Sequence, residues 1–452
     1  MRRLALVLLA LAAPAGTLAA QESQKCVFLL RDVGNMGVQQ VTPSGTNYFA
    51  GGGVTIDCAG TSVTIRSDSV AAYAGRVVQF MGNVKYRDSS ATLDAQNGTY
   101  YKDGERWEAR GNVRTTNLRT GSTLVGPSVD YFRAVRGVRD SAELYAVGRP
   151  TIRYVTKDSA GAAQEPYVVV GDRVRQRGEG KLWAGGKVTI DRSDFTARGD
   201  SLRLETGAQG SGSLVGDKPA MRGLGKDTFD LAGERIDFTM SDEDIEAVQA
   251  FGSGHAVTAD LDLVADTIAI DLVDQKAEYT RAWGSSLRPL AVSREYEVRA
   301  DSIAVDMPGQ VLTQFRAFGT AWIGTEKDSV ANERDWIAGD TVRADFATRD
   351  SSGTTVSRLK QLEAWSAART YYRATEDEKD RKKAAEQGKA PKAPGLNYAR
   401  ADRIVVHMRE REDGVERVDL FGNVDGIQLE PAPPSSRTAT APAATAPPKD
   451  DR

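Results

Sequence analysis

A two-part phrase recurs along most of this chain and limits what it can fold into more than any single residue does. Residues 298–323 show it in full: VRADSIAVDM, a PGQ turn, then VLTQFRAFGTAWI. The first part opens on Ala300-Asp301 and alternates through Ile303, Val305 and Met307. The second passes through Ala317-Phe318-Gly319 to Ala321 and Ile323. The positions equivalent to Asp301 are Asp68, Gln96, Pro127, Asp172, Asp200, Glu234, Asp266, Asp340 and Asp402. With Asp301 in place the steps are 28, 31, 45, 28, 34, 32, 35, 39 and 62 residues. An internal repeat of this length is the mark of a stacked array.

Each half of the phrase has the period of a strand. Ile268, Ile270 and Leu272 share one face, as do Ile236, Phe238 and Met240, and Ile404, Val406 and Met408. Period-two alternation puts one face inside and the other in water. The second halves carry a glycine near the middle, as in Phe80-Met81-Gly82-Asn83-Val84, Ala109-Arg110-Gly111-Asn112-Val113 and Phe421-Gly422-Asn423-Val424. Apolar alternation continues through that glycine, which predicts a bend, bulge or close backbone approach rather than a hairpin turn.

About ten such units cannot each offset their own ordering entropy, so neighbours must stack. The expected fold is all-β: elongated, folded-over antiparallel sheets of about ten two-strand repeats, with an apolar interior and two exposed end strands.

Arg2 and Arg3 precede an apolar run and then small residues up to Ala20, the pattern of a secretory signal over residues 1–20. No other run has membrane-spanning length, so the exported protein is expected not to span a membrane itself. The pair Cys26 and Cys58 then suits a disulfide in an oxidising compartment, closing a loop with about 3 kcal/mol of stabilisation. The formal net charge of −3 gives no support for a nucleic-acid partner. Three stretches break the rhythm: the polar residues 157–166, the Gly-rich residues 206–227 and the charge-dense insertion 374–395. The expected organisation is one β module over residues 21–156, a second over 167–430, and a disordered Pro/Ala/Thr-rich tail over 431–452.

The pairing of Ala-Asp-x-Ile-x-Val with apolar-x-Gly-Asn-Val resembles the OstA-like domain of periplasmic lipopolysaccharide-transport proteins. The match is closest over residues 48–154, where Phe80–Val84 and Ala109–Val113 supply two full motifs, and it recurs over residues 231–429. The resemblance implies a β-taco or β-jellyroll that holds acyl chains between its sheets. It also implies a periplasmic location, with association to the outer membrane left open, and joining to transport proteins of the same β fold through edge strands. The ligand would be lipopolysaccharide or a related lipid. The interior would be lined by Val84, Val113, Phe238, Ile268, Ile270, Ile303, Val305, Val342, Ile404 and Val406, with Ser302 and Ala304 facing outward. This chain departs from the family in placing an aromatic before many of the glycines, Phe251, Trp283, Phe318 and Phe421, with Trp365 at the same repeat position before Ser366. An aromatic ladder that packs the fold is the favoured expectation for them.

No nucleophile elbow, phosphate loop, dinucleotide fingerprint or metal-ligand cluster stands out, so neither enzyme activity nor a cofactor or metal is expected. The recurring aspartates occupy equivalent repeat positions, which suits hydrogen bonding at turns better than catalysis. Two further readings stay open. One is an exported non-enzymatic β-repeat scaffold that joins partners through its edge strands. The other, a β-helical polysaccharide enzyme, would need two carboxylates at catalytic separation.

Overall fold

A computed structural model describes residues 26–35, 37–135, 137–157, 161–207, 209–224, 228–241, 244–258, 261–274, 276–325, 334–351, 354–374, 386, 395–409 and 415–430. The expected signal segment, most of the 374–395 insertion and the tail after residue 430 lie outside the described residues. The fold is all-β, with thirty strands among the described residues. Short 3-10 turns form at Lys102–Gly104 and at Pro308–Gln310, the latter at the PGQ turn expected from sequence. The chain forms two compact units, Met1–Gly252 and Ser253–Arg452.

The construction of the first unit follows from one strand and its neighbours. In Val77–Arg87, residues 77–81 pair with 97–101 of Ala91–Tyr101, and residues 84–87 pair with 92–95. The register shifts between Met81 and Val84, at Gly82-Asn83. The neighbouring strands shift at the same level, between Arg66 and Ser69 and between Arg110 and Val113. These long strands are therefore bent near their middles, and the two halves of each belong to two different ladders. Their inner faces meet: the Tyr86 ring of one arm lies 5.3 Å from Trp107 of the other. This is a sheet folded over along a line of corners.

The stacking continues where a module boundary was expected. Thr151–Tyr154 pairs directly with Tyr167–Val170 across residues 157–166. The Gly-rich stretch after residue 206 supplies the strands Gln209–Val215 and Ala220–Gly223, on either side of a corner. The boundary between the compact units falls instead within Asp244–Val257.

The second unit uses the same bent strand. Gln314–Thr325 pairs through residues 314–318 with 302–306 and through 322–325 with 296–299. Here the structure refines a sequence expectation: new strands do start just after Asp172, Glu234 and Asp301, but elsewhere one strand runs through the repeated aspartate and bends at it. Leu261–Val273 runs unbroken through Asp266, and Gly395–Met408 through Asp402. The reason is parity. Leu263 and Ala265 face inward before Asp266, and Ile268 and Ile270 after it, so the buried positions switch from odd to even. One extra residue at the corner reverses the alternation, as a bulge does.

The corners explain the repeat itself. Gly319 has φ +76° and Thr320 φ +43°, so two successive left-handed residues turn the glycine strand. Left-handed backbone favours glycine at the first of them. A Cβ on Gly319 would also collide with the Asp301 carboxylate of the adjacent strand. The same facing occurs between Gly82 and Asp68, Gly111 and Gln96, Gly186 and Asp172, and Gly422 and Asp402. The acceptors are used: Asn83 Nδ2 donates to Asp68 Oδ2 at 2.8 Å, and Ser286 N donates to Asp266 Oδ2 at 2.8 Å. The recurring aspartates thus hold corners together through local hydrogen bonds.

Candidate functional site

The interior between the two arms is the largest apolar feature of each unit. In the second unit one inward row crosses successive strands as Ile268, Ala282, Ile303, Ala317, Val342, Ala364 and Ile404. None of these residues is more than 2% exposed. Alanine comes from each glycine strand and a β-branched residue from each aspartate strand, so large and small side chains alternate along the corner. A second row farther from the corner holds Ile270, Val305, Phe315, Ala344 and Val406, with Thr280 as a polar member. None of the residues named in these two rows is charged, and on the outer face Glu363 is buried between Arg343 at 3.0 Å and Arg403.

The N-terminal part of the first unit fills the same space with rings. Phe80 stacks on Trp107 at 5.1 Å, and Phe28 meets Tyr100 edge-on at 4.9 Å. Such pairs add about 0.5–1.5 kcal/mol each beyond the area they bury. Burial first, and then the nearby Asp88 carboxylate, pushes the Tyr131 hydroxyl up to about 12. The Tyr86 hydroxyl is pushed up more strongly by burial and by Asp88, to which it donates at 2.7 Å. These phenols are neutral over the whole physiological range.

Polar contacts also cross the mouth of the first unit, opposite the corners. Cys26 N donates to Glu105 Oε1 at 3.0 Å, and Glu105 in turn pairs with Arg133 at 3.1 Å. Arg119 pairs with Glu179 at 2.6 Å, and the Tyr154 hydroxyl donates to Glu179 O. Cys26 and Cys58 are joined by a disulfide that ties the residues before strand Phe28–Val33 to Gly45–Cys58. The sequence carries no local signal for these cross-arm contacts, because their partners lie 25 to 79 residues apart.

The ten residues expected to line the interior all face inward and are buried. Seven of them, Ile268, Ile270, Ile303, Val305, Val342, Ile404 and Val406, share the aliphatic interior of the second unit. Val84 and Val113 lie in the ring-filled first unit, Val84 against Gly98 beneath Trp107. Phe238 is a plug rather than a wall: its ring occupies the space over Gly212 on the paired strand.

Two expectations about the outer face need correction. Ala304 does face outward, but it is only 6% exposed, because Arg281 and Arg316 stand directly opposite it on both neighbouring strands. Their aliphatic stems cover a side chain as small as alanine. The aromatics before the glycines do not pack the interior. Ala250, Ala282, Ala317 and Ala364 take the inward side, and Trp283, Phe318 and Phe421 are 36%, 39% and 48% exposed. Arginines lie over them instead, with Arg235 above Phe251 at 4.1 Å and Arg403 above Phe421 at 5.2 Å.

Neither histidine enters a cluster. His255 lies 2.9 Å from Asp262, and His407 3.0 Å from Asp419 on the outer face. Among the described residues no group of three or more His, Cys, Asp or Glu is placed to hold a metal ion. No helix among them is long and apolar enough to cross a membrane. Comparison with family models and with curated proteins returns no match to this chain.

Proposed function

We propose that this protein is a periplasmic conduit that binds lipopolysaccharide or a related lipid on its way to the outer membrane, with the acyl chains held between the arms of the second unit. The observation that carries this reading is the uncharged row Ile268, Ala282, Ile303, Ala317, Val342, Ala364 and Ile404, continuous across seven half-strands. An acyl chain laid along it would gain about 0.8 kcal/mol per methylene removed from water. The arms would part at their corners to admit it, since backbone pairing runs along each arm and not across the interior. Specificity would come from shape and apolar burial. The unpaired sides of the edge strands Phe28–Val33 and Val415–Phe421 suit strand addition by partners of the same fold.

A second reading has its own support. The near-complete burial of the inward rows suits a scaffold whose interior is filled by its own side chains and which works only through its edges. Purification without detergent followed by lipid mass spectrometry separates the two. The conduit reading expects an acylated lipid at near-stoichiometric amounts, lost on Ile303→Asp. Lipid-free protein that is also not stabilised by added lipopolysaccharide would favour the scaffold.

A further inference from the structure

The inward rows of the first unit are interrupted at one level, on both arms at once. On one arm the row runs Leu93, Thr115, Leu124 and Ile152, with a hydroxyl where its neighbours are aliphatic. On the other it runs Tyr131, Leu144, Gln176, Leu182 and Leu204, with an amide in the same role. Both interruptions line one cleft of about 430 Å³ between the arms. That volume lies within the range of small-molecule sites. Thr115 is buried and Gln176 half-buried, and polar side chains in such rows need partners. Gln176 Nε2 has one, donating to Gly178 O at 3.2 Å.

The rest of the lining sets the chemistry of a ligand. At the turns Ser90, Ser122, Ser141 and Asn117 add hydroxyls and an amide, while the rings of Tyr86 and Tyr131 form apolar walls. Three carboxylates reach the cleft, but two are already paired: Glu179 with Arg119 at 2.6 Å, and Glu143 with Arg175 at 3.2 Å. The remaining Asp140 disfavours an anion, so neither a phosphate nor a carboxylate suits this place. Many neutral donors and acceptors between aromatic faces match a ring that bears several hydroxyls.

We infer that this cleft binds a neutral saccharide of one or two rings, with Thr115 and Gln176 as its central hydrogen-bonding groups. The inference does not depend on lipid binding in the second unit, and no acyl chain is required for it. It is tested on the full chain by saturation-transfer NMR with lactose, maltose and cellobiose, alongside glucuronate and spermidine. At least one neutral disaccharide is expected to show transfer, weakened tenfold or more in Thr115→Val/Gln176→Leu. That pair keeps side-chain volume and removes polarity, so the fold should hold, and Thr267→Val in the second unit serves as a control that leaves binding unchanged. The proposal is overturned if no neutral disaccharide shows transfer or if the double variant binds as the parent does. It is equally overturned if glucuronate or spermidine competes for the same site.

Discussion

The two units share one backbone device and differ in what they put inside it. In both, strands bend at a line of corners where an acidic or polar side chain stands over a glycine. The first unit then fills the space with Phe28, Phe80, Tyr100 and Trp107, latches one end with a disulfide and ties its mouth with cross-arm polar contacts. The second lines the space with alanine, isoleucine and valine. The difference teaches that the corners specify the fold while the inward rows are free to vary. Rings that interlock across the interior resist separation of the arms. A smooth aliphatic row gives up little specific geometry when the arms part. On this account the first unit is the rigid one and the second the adaptable one.

The sharpest way to break that contrast is Trp107→Ala. It should destabilise the first unit by about 3–5 kcal/mol. Hydrogen exchange followed peptide by peptide should show protection lost before Gly252 and retained after it. Equal loss in both units would mean that the interiors are not independent. Next in size is Cys26→Ser, which should cost about 3 kcal/mol by loop-closure entropy, read from a denaturant midpoint under oxidising conditions. The parent protein in reductant should match the variant.

A smaller effect probes the second unit. Ala317→Leu overfills the alternating row, and a rigid core would lose about 1–3 kcal/mol. An adaptable interior should lose less than that, while Ala109→Leu, at the equivalent position of the first unit, should show the full cost. Gly319→Ala tests the corner: it forces a side chain into φ +76° and into Asp301, at a cost of roughly 1 kcal/mol or more. Combining it with Asp301→Ala should recover the part due to collision but not the part due to backbone strain.

The smallest effect is in pH. Hydrogen bonding from Arg334, at 2.7 Å, leads the contributions that hold the Glu297 carboxyl below its ordinary value of 4.5. Because the folded value is depressed, this pair adds stability above pH 4.5, and the contribution is lost as pH falls through the folded value. Glu297→Gln should therefore narrow the stability difference between pH 7 and pH 3, measured by denaturant unfolding.

Much of this was legible in the sequence, for identifiable reasons. The corner favours glycine with an acidic or polar partner one strand away, with Ser366-Ala367 in that place opposite Asp340 and Pro127 opposite Gly148, so most of the series from Asp68 to Asp402 is legible by alignment. The inward faces of Ile303 and Val305 followed from alternation alone. The bend at aspartates such as Asp266 and Asp402, where one strand runs through, was not legible, because one extra residue switches the parity there and the alternation looks like the start of a strand. The glycine corners insert two residues and keep parity, which is why alternation passes through them. The side taken by Phe318 depended on which of two adjacent apolar residues, Ala317 or Phe318, the interior would accept. The polar cleft around Thr115 and Gln176 was hidden because its two halves lie sixty-one residues apart and meet only when the sheet folds over.

The central claim is that lipid contacts the inward row of the second unit. Photo-crosslinking residues placed at Ile303 and Ile404, at the outward Trp283 and Phe318, and at Trp107 in the first unit would test it most directly in cells. The account predicts lipid adducts from Ile303 and Ile404 only. Adducts from inward and outward positions alike, or none from Ile303 and Ile404 in protein that is folded and exported, would contradict it.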